Sequence, residues 1–184
     1  HGPGRGAANS VLVLLEGFRL TGERRFLNKA EELIQRVIHP SDSVPSKIAL
    51  RNDPKTVDAE NRWFYTMFMQ ALGAYLDVKV DLNELDRSYA YARESLLHYA
   101  RWMAENECLY LDKPEILEYP TETWSAQDVR KSEIFTFAMM HAKEKERERF
   151  AERANHFFHA SINSLSSFPT KTLCRPVVLM LRYG

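Results

Sequence analysis

The chain has 184 residues, 45% hydrophobic and 27% charged, which suits one globular domain with a sizeable core. Lys+Arg and Asp+Glu both number 25, so the net charge is zero with neutral histidines. That excludes the overall basic excess of a nucleic-acid binder, and no apolar run reaches the ~18 residues of a membrane-spanning helix.

Helical periodicity governs the chain. A first helix is predicted from about Asn9 to Leu20, with Asn9 or Ser10 as its cap. Its apolar residues, Val11 to Leu15, Phe18 and Leu20, lie nearly all round, which predicts burial on most sides. Gly22 in "TGE" suits the left-handed position after a helix. The second helix puts Phe26, Leu27, Ala30, Leu33, Ile34, Val37 and Ile38 on one stripe and should pack on one side only. The alternation then repeats. Asp58–Val78 is apolar on most faces, and a turn at Asp81–Asn83 leads to a stripe from Leu85 through Tyr89, Leu96 and Met103. Glu122–His141 ends in the apolar run "IFTFAMM". After a break near Lys143, Phe150, Ala154, Phe157, Phe158, Ile162 and Leu165 form another stripe. A last helix is predicted at about Leu173–Leu181, with Pro176 in its first turn. Pro114 and Pro120 forbid helix in "CLYLDKPEILEYP", where a short extended piece is expected.

The chain therefore reads as one all-α domain of three helical hairpins plus an extra helix. Each hairpin pairs a helix buried on most faces with an amphipathic one. Turns within hairpins are short, and connections between hairpins are long. Long connections are often functional. In an antiparallel arrangement they share one end with the starts of the buried helices, so a pocket is expected at that end. Cys108 and Cys174 are too few for a disulfide framework and have no CxxC spacing. They are expected as partly buried free thiols, with one long-range disulfide as the alternative.

The segment "GRGAANSVLVLLEGFRLTGERRFLNKAEELIQRVI" carries an inner helix, then "LTGE", an aromatic–Leu pair and "KAEEL". It resembles a hairpin of the six-hairpin glycosidase-like (α/α) toroids, which include glucuronyl C5-epimerases and N-acylglucosamine 2-epimerases. The match spans about Gly4–Ile38. It is weaker at Asp58–Glu105 and Glu122–Leu165, where it rests on layout and on "ETW…QD". The resemblance implies inner helices wrapped by outer ones and a carbohydrate ligand, sugar or uronic acid. It also implies that the chain is the C-terminal part of a larger toroid, because a closed one has six hairpins. Such an arc would expose apolar inner surface, which favours a homodimer.

Polar and aromatic residues gather at the long-connection end. Glu122 and Asp128 are the candidate catalytic carboxylates, since glycosidic hydrolysis needs an acid and a base or nucleophile. His1, Arg5, Asn9, Arg62, Trp63, Tyr65, Trp124, Gln127 and Arg130 are the candidate substrate contacts, with Glu60 nearby. Arg can hold a uronate carboxylate bidentately, and aromatic rings offer a platform to sugar C–H faces. Simpler roles stand beside these. Glu122 can serve the helix start, with Thr121 or Thr123 as cap. Asp128 and Lys131, at i and i+3, can form a surface ion pair. Trp63 and Trp124 can belong to the core. "HGPGRG" lacks the ending of a phosphate loop. His156 and His159 lack a third ligand at helical spacing, so no metal is expected. No cofactor is expected either, and no serine or cysteine nucleophile motif occurs. The alternative function is a non-catalytic helical-repeat module that binds a protein partner on its concave face. Localisation stays open, with the cytoplasm as default.

Overall fold

The computed structural model describes residues 2–48, 63–117, 119–169 and 177–178. Seven helices cover most of them, and no strand occurs among the described residues. They are α1 (Arg5–Thr21), α2 (Arg24–Val37), α3 (Val44–Ile48), α4 (Phe64–Asp81), α5 (Arg87–Asn106), α6 (Glu122–His141) and α7 (Glu144–Ser167).

The helices pair as hairpins α1/α2, α4/α5 and α6/α7. In one layer α1 packs on α4 and α4 on α6; in the other α2 packs on α5 and α5 on α7. The Arg5 guanidinium lies over the Phe64 ring at 5.1 Å, so α1 and α4 start at the same end. Contacts from α4 to α6 pair Trp63 with Arg130, Gln70 with Arg130 and Glu133, and Gly73 with Phe137. These two helices therefore run parallel, and all three first-layer helices begin at the long-connection end, as the loop lengths predict.

A methyl group at Gly73 would sit 2.2 Å from the Phe137 ring, so this glycine sets how closely α4 and α6 approach. Gly22 has φ 71° and its N–H bonds to Phe18 O, the left-handed stop expected after α1.

α1 departs from expectation. It begins at Arg5 rather than Asn9, because Gly4 is extended and its carbonyl accepts the first turn's bond from Ala8 N–H. It is not buried on most sides. Ala8, Val11 and Leu15 are sealed, whereas Val13 is 71% and Leu20 85% exposed. The cause is position. Among the described residues α1 has a layer neighbour on one flank only, whereas α4 lies between α1 and α6. Both α4 and α6 are buried on most faces, as their composition predicts.

Further departures lie in the connections. Leu85 is 60% exposed, because Asp86 caps α5 and the stripe starts after it. The described part of the connector, 108–117, is not one continuous extended piece. It forms two 3-10 turns, Tyr110–Asp112 and Pro114–Ile116, with Pro114 in a first-turn position that needs no N–H donor. Cys108 is an exposed free thiol, not a partly buried one, because it lies on this connector. Cys174 and most of the helix predicted at 173–181 lie outside the described residues; Val177 and Val178 are helical and exposed.

At the short-turn end a buried cation ties the layers together. Lys79 is fully buried and contacts Asp86 at 2.7 Å, Glu84 at 3.0 Å and Glu31 at 3.2 Å. Burial alone would lower its pKa, but hydrogen bonds to the three carboxylates outweigh that and raise it. Arg24 adds a bidentate pair to Glu84 at 2.6 and 2.8 Å.

Candidate functional site

The long-connection end is built by the starts of α1, α4 and α6, the end of α5 and the connector. Tyr110, Leu117 and Trp124 form a small core there, separate from the main one, with Trp63 and Leu111 packed against it. Trp124 is 7% exposed and its indole N–H donates to Tyr119 O at 2.9 Å. It is a core residue that closes the connector over α6. Trp63 is half-buried and lies edge-on to Phe64.

Two polar groupings meet at this end. The first is a seam between α4 and α6. The Arg130 guanidinium lies over the Trp63 ring at 5.8 Å. Its Nε donates to Gln127 Oε1 at 2.8 Å and its Nη1 to Gln70 Oε1 at 2.5 Å. Gln70 in turn donates to Glu133 Oε2. The seam thus runs Trp63–Arg130–Gln70–Glu133 along the facing sides of the two helices.

The second grouping is a buried charge cluster between α6 and the connector. Lys131 is fully buried. Its Nζ lies 2.9 Å from Asp128 Oδ1, 3.0 Å from Glu107 Oε2 and 2.6 Å from Cys108 O. It also lies 3.7 Å from the Tyr110 ring centre, a close cation–π contact. Asp128 accepts the Tyr110 backbone N–H at 3.0 Å, and Tyr65 OH donates to Glu107 Oε1 at 2.7 Å. Arg153 of α7 donates to Glu107 O at 2.7 Å.

The electrostatics follow from burial. Burial pushes the Asp128 carboxyl up to about 6, although Lys131 and the Tyr110 N–H pull the other way. For Lys131, burial favours the neutral form, but Tyr110, Glu107 and Asp128 together raise its pKa, and it stays charged.

The expected site residues therefore divide. Trp63, Gln127 and Arg130 come together in the seam. Asp128 pairs with Lys131 as its spacing predicts, but the pair is sealed rather than on the surface. Tyr65 joins this cluster through Glu107. Glu122 is half-buried in the first turn of α6. Thr121 holds the cap position without a side-chain hydrogen bond. Six residues separate Glu122 from Asp128, which sets them about 120° apart around α6. Arg5 and Asn9 are exposed on α1, Arg5 against Phe64. His1, Glu60 and Arg62 lie outside the described residues. Among the described residues no three His, Cys, Asp or Glu side chains are grouped to hold a metal ion, and no helix is long and apolar enough to cross a membrane.

Gln70, Glu107, Lys131 and Glu133 were not among the expected site residues. The signal for Gln70 and Lys131 was present. Each is a polar residue in a helix that is otherwise buried on most faces, and such a residue must find a partner. Glu107, just after α5, carried no such signal. No family model, curated protein or solved structure matches the chain significantly.

Proposed function

We propose that the chain forms part of an (α/α) toroid that binds a carbohydrate, with the α4–α6 seam as the sugar contact. The observation that carries this reading is the pairing of Arg130 with half-buried Trp63, braced by Gln127 and Gln70, at the end where three helices start. The half-buried Trp63 ring suits sugar C–H groups, while Arg130, Gln127 and Gln70 are buried and bonded to one another, so they hold that ring in place behind the contact. Asp128 is committed to Lys131 and Tyr110, so in this reading the chain binds rather than cleaves its ligand. The test is an NMR titration with glucose and glucuronic acid, read at the Trp63 indole N–H. A saturable shift that is lost in Arg130→Gln is expected. No shift up to the solubility limit of either sugar would sink the reading.

A second reading is favoured by the same commitment of Asp128 and by exposed Val13 and Leu20 on α1. A surface with few converging carboxylates and exposed apolar side chains suits a protein partner on the concave face, or a second copy of the chain. Sedimentation velocity of the chain and of Val13→Glu/Leu20→Glu separates these outcomes. A monomer in both cases removes the homodimer.

A further inference from the structure

We infer that copies of the chain dock head to tail, the α1/α2 edge of one packing against the α6/α7 edge of the next. This deepens the second-copy reading above and rests on it. Hairpins α1/α2 and α6/α7 end the row, and among the described residues neither has a further hairpin beside it. On the first edge Val13 and Leu20 stand out, 71% and 85% exposed. They lie seven residues apart, two turns along one side of α1, and turn away from Ala8 and Leu15, which are sealed in the core. Half-buried Phe26 and Leu33 of α2 continue this edge, since Phe26 packs on Gly17 of α1. The other edge is concave. A groove of 220 Å³ runs between α6 and α7, with Ser132 and Thr136 lining it from α6 and Asn155 and Phe158 from α7. Beyond it Met140 is 55% exposed.

Height and charge match between the two edges. Within the chain, α1, α4 and α6 lie side by side and start at the same end, so a second copy that continues the row lays its α1 parallel to α6. Val13 lies eight residues before the end of α1, and the groove-lining residues 129–136 lie five to twelve before the end of α6. Leu20 and Met140 are each one residue before the end. At the common rise per residue, Val13 stands level with the groove and Leu20 with Met140. In the outer layer, Lys29 and Arg36 flank Leu33 and share Glu32 as their partner. Glu148 and Glu152 lie on the Asn155 side of α7, with Arg147 near them. The pairs Arg101–Glu146 and Arg149–Glu105 already join α5 to α7, so the copies meet by the chemistry that joins neighbouring hairpins inside one chain. A contact between two different edges is heterologous, and it builds a ring or an open row.

The experiment uses the whole chain and two variants, one for each edge, both at exposed positions: Val13→Glu/Leu20→Glu and Thr136→Glu/Asn155→Glu. Far-ultraviolet circular dichroism matching wild type checks that both fold. In sedimentation velocity over a concentration series, wild type is expected to self-associate and each variant alone to stay a monomer. An equimolar mixture of the two variants should form a one-to-one complex and nothing larger. Each brings one intact edge, and the two altered edges repel. A wild-type monomer at every concentration overturns the second-copy reading together with this contact. Association that Val13→Glu/Leu20→Glu removes and Thr136→Glu/Asn155→Glu keeps overturns the head-to-tail contact and leaves the second copy standing, as a symmetric α1–α1 pair. A mixture of the two variants that stays monomeric also overturns the head-to-tail contact.

Discussion

Lys131 Nζ lies 2.9 Å from Asp128 Oδ1, and the two side chains are 0% and 2% exposed. Glu107 Oε2 is a second carboxylate partner at 3.0 Å. Removing one member of a buried charged group costs more than the group contributes, because the remaining charges stay uncompensated. Lys131→Met is therefore expected to destabilise the fold by ~3–5 kcal/mol, read by urea unfolding at neutral pH. A loss under ~1 kcal/mol would mean that the pair behaves as a solvated one.

The same cluster makes stability depend on pH. The Asp128 carboxyl titrates at about 6 when folded, above its ordinary 3.8. The folded chain therefore holds a proton that the unfolded chain has released. This contribution to stability is fully present below the ordinary value and is lost as pH rises through about 6. His141 acts in the opposite sense. Burial and then Arg93 lower its pKa below 6.5, so its contribution is present above that value and fades on acidification. A comparison with Asp128→Asn isolates the carboxyl. The stability of wild type relative to this variant should grow between about pH 7 and about pH 5. A flat or falling difference would contradict the assignment.

Gly73 lets α4 and α6 meet. Alanine normally favours a helix over glycine by ~1 kcal/mol. Here the added methyl would stand 2.2 Å from the Phe137 ring, and overpacking costs ~1–3 kcal/mol. Gly73→Ala should therefore lower the unfolding midpoint. The double variant with Phe137→Leu should recover part of the loss, because the shorter side chain vacates the contact. A more stable Gly73→Ala would show that the helices separate freely.

Asp86 has two roles. It caps α5 by accepting Tyr89 N–H at 3.0 Å and pairs with Lys79 at 2.7 Å. Asp86→Ala removes both, at a cost of ~1–2 kcal/mol from the cap alone. Asp86→Ser restores the cap without the charge. Thermal melts should rank wild type above Asp86→Ser and Asp86→Ser above Asp86→Ala. Equal melting of Asp86→Ser and wild type would assign the whole effect to the cap.

Much of the helical layout was legible in the residue pattern. The stripe of α2, the bounds Glu122–His141 and the stop at Gly22 follow from periodicity and glycine chemistry. The candidate site was legible in part. Trp63, Gln127 and Arg130 were expected together and meet in the seam. Asp128 was expected at the same end, but its partners Glu107 and Tyr110 come from a connector whose path no periodicity describes. Trp124 gave no sign of facing Tyr110 rather than a ligand, since an aromatic residue suits either setting.

What the sequence determined by itself is local. Apolar spacing, capping chemistry and proline placement act within a turn or two of the chain, and they set where the described helices run. Tertiary structure decided the rest. α1 has the apolar content of a buried helix yet leaves Val13 and Leu20 exposed, because burial depends on how many neighbours a helix has. Lys131 has the pattern of a surface ion pair yet sits in a buried cluster. The cost of desolvating that charge is offset by Glu107, 24 positions away in the numbering, and only folding brings it there.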